Sequence, residues 1–229
     1  MKLVARYDYR EGAKIPKSGP AIVVSNHVSY LDAFALAFFL YSHGRAPRYL
    51  GKSQVFRIPI IGKILLAAEQ IPVERESKEA RVALQHALRL LEMGHLVGVY
   101  PEGTLTRDKE YWPMLAKTGA ARLAVVSKVP VYPAAQWGTQ QVLPPYRKKL
   151  RIFPRATVRY RVGEPIDLSR WYGKEEDPAA MVEATAEIMR AITVLLEEIR
   201  GQQRPAAIFD PHTSDLPRTG NFRKGEKKQ

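Results

Sequence analysis

Apolar residues form short runs rich in β-branched side chains, and helical patterns separate these runs. The run from Ile22 to Val24 is typical of a buried strand, and residues 29–42 predict a helix that is apolar on almost every side. Ser29 is the candidate N-cap of that helix. Further strands are predicted over residues 3–9, 48–51, 70–73, 96–100, 129–135 and 157–162, and further helices from residue 77 to a cap at Gly94 and over residues 117–128 and 178–200.

Strands that alternate with helices are typical of an α/β domain. We predict a single domain over residues 1–200, with a mixed, mostly parallel sheet flanked by helices. The two prolines within residues 129–135 indicate an edge strand or a kinked one. Residues 201–229 are rich in proline, glycine and charge, so we predict a basic tail that is extended or disordered.

Two polar residues near the first buried strand are candidates for chemistry. His27 lies on the predicted strand-to-helix turn, and Asp32 lies in the first turn of the helix. In one interpretation the carboxylate orients the imidazole and stabilises its protonated form. In the other, Asp32 only caps the helix and His27 is an ordinary surface residue. This segment alone supports both interpretations equally.

A second polar turn, residues 101–104 (PEGT), ends the buried strand predicted over residues 96–100. Because α/β domains bind ligands beyond the carboxyl ends of their strands, we expect this turn and His27 to share one site. The cation-flanked segment over residues 52–63 is a third candidate. Together they offer a general base, a carboxylate, backbone N–H groups and cations. That set suits proton abstraction from a hydroxyl, attack on a carbonyl and binding of an anionic substrate.

The composition of the chain further limits the kinds of site and partner that we expect. The 229 residues include no cysteine and five histidines without metal-ligand spacing, so we expect no disulfide and no metal ion. A formal net charge of +13 favours a polyanionic partner, which is nucleic acid, an anionic membrane or a phosphorylated molecule. The most apolar window, residues 33–41, is shorter than the roughly 20 residues that span a bilayer. The first ten residues lack the pattern of a signal peptide.

Four segments in order resemble the lysophosphatidic acid acyltransferase family, the glycerolipid acyltransferases with an H-x-x-x-x-D motif. The two stronger segments are NHVSYLD at residues 26–32 and YPEGT at residues 100–104. The two weaker ones are GKSQVFRIPIIGKIL at residues 51–65 and VPVYPAA at residues 129–135. The resemblance covers about residues 15–165 and implies that family's α/β fold.

The resemblance implies an acyl transfer in which His27 removes the proton from a hydroxyl of lysophosphatidic acid. That oxygen attacks the thioester of acyl-CoA or acyl carrier protein, and Asp32 holds the imidazole in the required tautomer. No cofactor and no covalent acyl-enzyme are needed, which agrees with the absence of cysteine and of a G-x-S-x-G motif.

The resemblance also assigns residues to the acceptor. Glu102, Gly103 and Thr104 would line the acceptor side, and backbone N–H groups near Gly103 would stabilise the oxyanion. Leu105 departs from the family pattern, which often has arginine directly after the P-E-G-T, so Arg107 is a candidate for that role. The cations expected to bind the phosphate are Arg57, Arg75 and Lys117.

The expected partners are a lysophospholipid acceptor, the acyl donor and an anionic membrane surface, with no nucleic acid. We therefore expect a peripheral protein on the cytoplasmic face of the cell membrane. Three alternatives remain at this point. Glycerol 3-phosphate or a glycolipid is the acceptor, the chain is a basic nucleic-acid-binding module, or it binds lipid without catalysis.

Overall fold

The computed structural model describes residues 5–9, 14–52, 56–59, 62–63, 66, 70–73, 77–147, 149–211 and 213. The strands in these residues are β1 (Arg6–Tyr9), β2 (Ala21–Ser25), β3 (Pro47–Lys52), β4 (Ile71–Val73), β5 (Leu96–Val99), β6 (Val131–Trp137) and β7 (Thr157–Val162). The helices are α1 (Asp32–Ser42), α2 (Ser77–Glu92), α3 (Gly119–Ser127), α4 (Thr139–Val142) and α5 (Pro178–Arg200), with a 3₁₀ turn at Ser169–Trp171.

The strands form one sheet in the order β1-β7-β6-β2-β5-β3-β4. Five neighbouring strands, from β6 to β4, run parallel, while β7 is antiparallel to β6 and pairs in parallel with β1. This arrangement confirms the predicted mixed, mostly parallel α/β fold. Because five carboxyl ends point the same way, the turns that follow β2, β5 and β6 meet at one end of the sheet.

β2 lies at the centre of the sheet, and all five of its residues are buried. Its alternate side chains face opposite sides, because successive residues of a strand point to opposite faces. Ile22 and Val24 pack with α2, α3 and α5, whereas Ala21 and Val23 pack with α1. The β-branched run therefore builds two hydrophobic layers from one strand.

The structure corrects the expected position of the strand at residues 129–135. β6 lies between β2 and β7 in the sheet interior, not at an edge. Pro133 is tolerated there because its carbonyl, which accepts from the Gly163 N–H at 2.9 Å, faces the β7 side. Its missing N–H faces that same side, and the ladder with β7 reaches only to Ala134.

α1 begins at Asp32, three residues after the expected N-cap. Ser29 does not cap the helix, because its hydroxyl donates to the Leu143 carbonyl at 2.8 Å and accepts from the Leu31 N–H at 3.1 Å. The Asp32 N–H donates to the Ser29 carbonyl at 3.0 Å. Residues 29–31 thus form a turn that joins the end of β2 to the helix.

Among the described residues, no helix combines the length and apolarity that a membrane crossing requires. The domain boundary near residue 200 and the disordered tail stay predictions. Phe209, eight residues after Gly201, contacts the domain: it forms a parallel bridge with Met114, and its carbonyl accepts from the Leu115 N–H at 2.9 Å.

Candidate active site

Asn26 fixes the point at which the chain leaves β2. Its side-chain amide donates to the Gln136 carbonyl at 3.0 Å and accepts from the Gln136 N–H at 2.9 Å. The amide thereby replaces a backbone pair of the ladder between β2 and β6 where β2 ends. Both residues are buried. His27, the next residue, therefore starts from a fixed position at the carboxyl end of the sheet.

His27 and Asp32 lie in direct contact. The distance from His27 Nδ1 to Asp32 Oδ2 is 2.8 Å, and the imidazole is 18% exposed while the carboxylate is fully buried. The imidazole also stacks on Tyr100, with ring centroids 4.3 Å apart and planes inclined by 23°. Because Nδ1 faces the carboxylate, Nε2 is the nitrogen placed to exchange a proton with a bound molecule.

Asp32 also binds the turn that carries His27. Its Oδ2 accepts from the backbone N–H groups of Val28 at 2.6 Å and Ser29 at 2.8 Å. Its Oδ1 lies 2.5 Å from the hydroxyl of Thr139, the first residue of α4. Several donors around one carboxylate suit the ionised form, which only accepts hydrogen bonds. The same group that contacts the imidazole therefore fixes the turn.

Gly138 allows Thr139 to reach Asp32. The backbone at Gly138 has φ +111°, a conformation that favours glycine. A Cβ atom there would lie 2.1 Å from the Thr157 carbonyl oxygen, so no other residue fits without movement of β7. The turn between β6 and α4 thus depends on a glycine to bring a hydroxyl into the site.

Glu102 lies in the PEGT turn and is 2% exposed. Its Oε1 accepts from the His27 N–H at 3.0 Å, and its Oε2 accepts from the Met114 N–H at 3.1 Å. The chain is linked a second time nearby, because the Thr106 N–H donates to the His27 carbonyl at 2.7 Å. Glu102 therefore joins three segments of the site through their backbones.

The pKa of Glu102 is raised to about 8, mainly because the carboxyl is buried and in small part because the Asp32 charge is near, while the backbone N–H donors of Met114 and His27 act in the opposite direction. Thr106 also contacts this carboxyl. The Thr106 contact lowers the pKa, as the two backbone donors do, but burial has the larger effect. The surroundings of Glu102 thus favour the neutral acid at pH 7.

The PEGT turn brings Lys117 beside Gly103. Gly103 has φ +67°, and its N–H donates to the Tyr100 carbonyl at 2.9 Å, so this N–H is already used within the turn. A Cβ at Gly103 would lie 3.3 to 3.6 Å from the end of the exposed Lys117 side chain. Thr104 follows and is half-buried. Lys117 is therefore the exposed cation next to this turn.

The structure describes Arg57 and Arg107, two of the other arginines considered for the acceptor. Arg57 is exposed in the turn that follows β3, at the same end of the sheet as His27. Arg75 lies outside the described residues. Arg107 is almost fully buried, and its guanidinium carbon is 5.9 Å from the centre of the Tyr146 ring. The binding roles of these arginines stay predictions.

Sequence reasoning missed two side chains that touch the His27–Asp32 pair. Tyr100 belongs to the second motif, and no pattern in the sequence indicates that its ring stacks on the imidazole. Thr139 stands 107 positions after Asp32 and belongs to no recognised motif. Glycine at 138, in a turn directly after a predicted strand, was the available signal.

The described residues hold no group of three or more His, Cys, Asp or Glu side chains arranged to bind a metal ion. The arrangement instead offers proton transfer at His27, with charge stabilisation by Asp32. The expectation that no cofactor is needed stays a prediction.

Residues 6–137 match the model of the Acyltransferase family, which is more than half of the chain. The chain belongs to the Acyltransferase family. The matched region includes both turns of the site, with His27, Asp32 and Glu102.

Curated relatives carry a more specific name. A chloroplastic 1-acyl-sn-glycerol-3-phosphate acyltransferase of Brassica napus is 31% identical over 159 residues, which are 69% of this chain and 42% of that protein. A 1-acyl-sn-glycerol-3-phosphate acyltransferase of Bacillus subtilis (strain 168) is 27% identical over 188 residues, which are 81% of this chain and 87% of that protein. The chain spans about two fifths of the length of its plant relatives.

A solved structure shares the fold. The 1-acyl-sn-glycerophosphate (LPA) acyltransferase PlsC of Thermotoga maritima superposes with a TM-score of 0.67 and 22% identity, over 89% of this chain and 76% of that chain. The α/β architecture of the Acyltransferase family therefore extends over most of the chain.

Proposed function

We propose that the protein is a 1-acylglycerol-3-phosphate O-acyltransferase. It transfers a fatty acyl group from a thioester, acyl-CoA or acyl carrier protein, to the hydroxyl of lysophosphatidic acid, and the product is phosphatidic acid. The observation that carries the proposal is the 2.8 Å contact between His27 and Asp32 within the matched family region. The names of the Brassica napus and Bacillus subtilis relatives support the choice of reaction.

In the proposed reaction, His27 Nε2 accepts the proton of the acceptor hydroxyl as its oxygen bonds to the thioester carbonyl carbon. Asp32 stabilises the imidazolium that forms. The carbon–sulfur bond then breaks, and the imidazolium returns the proton to the departing thiolate. The acyl group thus passes directly to the acceptor oxygen and the proton to the thiol, without a covalent enzyme intermediate. The Tyr100 ring restricts rotation of the imidazole by stacking on one side.

The acceptor's phosphate is proposed to bind at the exposed Lys117 amine beside the PEGT turn, with Arg57 and Arg75 as further candidates from the same motif set. Lys117 is supported most directly, because its side chain lies against Gly103, and Glu102 in the same turn contacts the His27 backbone. The ammonium group of a lysine is a compact positive charge that can bind a phosphate, and the glycine beside it has no side chain that would block the phosphate.

A screen of acceptors tests the proposal. Purified protein is incubated with acyl-CoA or acyl carrier protein and with lysophosphatidic acid, glycerol 3-phosphate or a glycolipid, and products are identified by mass spectrometry. We expect phosphatidic acid from lysophosphatidic acid. Acylation of another acceptor only would change the proposed substrate, and no acylation of any acceptor would contradict the proposal. The His27→Ala variant, prepared identically, excludes a contaminating activity.

A further inference from the structure

A basic and apolar loop connects α4 to β7. Residues 143–156 include no aspartate or glutamate, and they include five cations. Phe153 is 89% exposed, Ile152 is 57% exposed and Leu150 is 46% exposed. The cations Arg147, Lys149 and Arg151 that alternate with them are exposed as well. Apolar side chains of this size on a free surface cost hydration free energy, and their contiguity indicates a contact.

The loop lies at the catalytic end of the sheet. β7 starts at Thr157, and Trp137 at the end of β6 pairs with Arg159, so residues 143–156 occupy the end where the parallel strands finish. The Arg151 N–H donates to the Val142 carbonyl at 2.7 Å, which ties the loop to the end of α4. The exposed segment is therefore close to the turn that places Thr139 beside Asp32.

The start of α1 adjoins this loop. The Tyr30 and Tyr146 rings meet edge to face with centroids 6.0 Å apart, and the Ser29 hydroxyl donates to the Leu143 carbonyl. Tyr30 is 51% exposed, and Phe34, one helical turn later, is 44% exposed. We call the five exposed side chains at this end the apolar rim: Tyr30, Phe34, Leu150, Ile152 and Phe153.

The positive charge beside the apolar rim indicates what kind of partner binds there. A protein partner with an apolar groove would not require the exposed cations Arg147, Lys149 and Arg151 beside the exposed apolar side chains. An anionic bilayer matches both features, because apolar side chains enter the headgroup region while lysine and arginine pair with lipid phosphates. The loop reads RKKLRIFPR over residues 147–155, which alternates these two kinds of side chain.

We infer that the apolar rim and the cations Arg147, Lys149 and Arg151 seat the protein on an anionic lipid surface, with the His27 end of the sheet turned towards the lipid. The inference rests on the proposed function, because a lysophospholipid acceptor resides in such a surface. It adds to that function a defined segment of the chain that makes the contact.

Vesicle flotation tests the inference. The protein is mixed with vesicles of phosphatidylcholine alone or with one third phosphatidylglycerol, and the bound fraction gives a partition coefficient. We expect Ile152→Ser with Phe153→Ser to lower binding to anionic vesicles by about tenfold or more, because the bilayer loses two apolar side chains that would enter its headgroup region. Neutralising Arg147, Lys149 and Arg151 to Gln is expected to lower it by about fivefold for each cation, on anionic vesicles only.

Matched variants at the opposite end of the domain serve as controls. Met93→Ser removes a side chain that is 70% exposed and lies just before β5 begins. A second control neutralises the exposed cations Lys17, Arg89 and Lys174, so that the net charge changes equally. Neither control is expected to change vesicle binding, and thermal unfolding midpoints verify that every variant is folded.

The outcomes separate the inference from the proposed function. Loop variants that bind anionic vesicles as the unaltered protein does, or controls that lose as much binding, overturn the inference. So does loop-dependent retention on an acidic protein without vesicle binding. Acylation of a short-chain, monomeric lysophosphatidic acid is expected to be unchanged in the loop variants. If no variant acylates anything but binding depends on the loop, the inference stands and the proposed function fails.

Discussion

Asp32 and Glu102 are two buried carboxyl groups at the same end of the sheet, and they contact the same histidine in different ways. Asp32 contacts the imidazole ring at Nδ1, whereas Glu102 accepts from the backbone N–H of His27. Donors surround Asp32, while burial favours the neutral form of Glu102. In the proposed reaction, Asp32 stabilises the charge of the His27 imidazole, whereas Glu102 fixes the position of the His27 backbone.

Asp32→Asn is the change expected to have the largest effect on catalysis. An amide cannot stabilise the imidazolium and favours the wrong tautomer of His27, so kcat is expected to fall by about 10³-fold or more. Steady-state rates of phosphatidic acid formation measure this loss. Asp108→Asn, in a half-buried loop residue away from the imidazole, is the matched control. A rate within about threefold of the original would contradict the role given to Asp32.

Glu102→Ala is expected to have its largest effect on stability. The change leaves the N–H groups of His27 and Met114 buried without acceptors, at about 1–3 kcal/mol each. Urea unfolding is expected to show a loss of about 2–6 kcal/mol. If the variant kept full stability but lost activity, Glu102 would act on the substrate and not on the backbone.

Glu102→Gln removes the ionisable group but keeps a side chain that can accept hydrogen bonds. Comparing the pH dependence of its stability with that of the original protein therefore shows the effect of the charge of Glu102. The folded-state pKa of Glu102 is about 8, above its ordinary 4.5, so the folded protein holds a proton that the unfolded chain releases. Stability from this group is present below pH 4.5 and is lost as pH rises to about 8. The loss is on the order of 1 kcal/mol per pH unit.

Urea unfolding at pH 5, 6.5 and 8 measures this dependence. Over this range, the free energy of unfolding of the original protein is expected to fall relative to that of Glu102→Gln. Above pH 8, the two free energies are expected to change with pH in the same way. Glu92→Gln, at an exposed glutamate, is the control and is expected to track the original protein. Parallel curves for Glu102→Gln across the whole range would show that Glu102 is ionised when folded.

Thr139→Val is expected to have the smallest effect of the series. It removes the hydroxyl 2.5 Å from Asp32 Oδ1 while it keeps the side-chain volume. Hydrogen bonds to charged groups contribute about 1.5–3 kcal/mol, so kcat is expected to fall by about tenfold as Asp32 loses a fixed position. Thr139→Ser keeps the hydroxyl and should retain most of the rate, which a purely steric role for Thr139 would not predict.

Local pattern was sufficient to predict much of the fold. The run from Ile22 to Val24 predicted the central strand, and the apolar periodicity of residues 178–200 predicted α5 with its bounds. These elements bury one or both of their faces, so the spacing of their apolar residues is sufficient to predict the type of element. The motif order also placed His27 and the PEGT turn at one end of the sheet.

Other features depend on contacts that no local pattern encodes. Pro133 lies in an interior strand because the neighbouring ladder stops beside it, which only the register of β7 determines. Thr139 reaches Asp32 from another strand's turn, and Ser29 bonds to Leu143 in place of capping α1. The family resemblance assigns Glu102 to the acceptor side, which stays a prediction, and no local pattern indicates that its oxygens accept from the backbone N–H groups of His27 and Met114.

The most direct test of the central claim is the rate of phosphatidic acid formation by purified His27→Ala, compared with the original protein at saturating lysophosphatidic acid and acyl-CoA. The account predicts a loss of about 10³-fold or more with an unchanged unfolding midpoint, because the variant lacks the imidazole that Asp32 contacts and that accepts the proton in the proposed reaction. Acylation by the folded variant at the original rate would contradict the claim that His27 activates the hydroxyl.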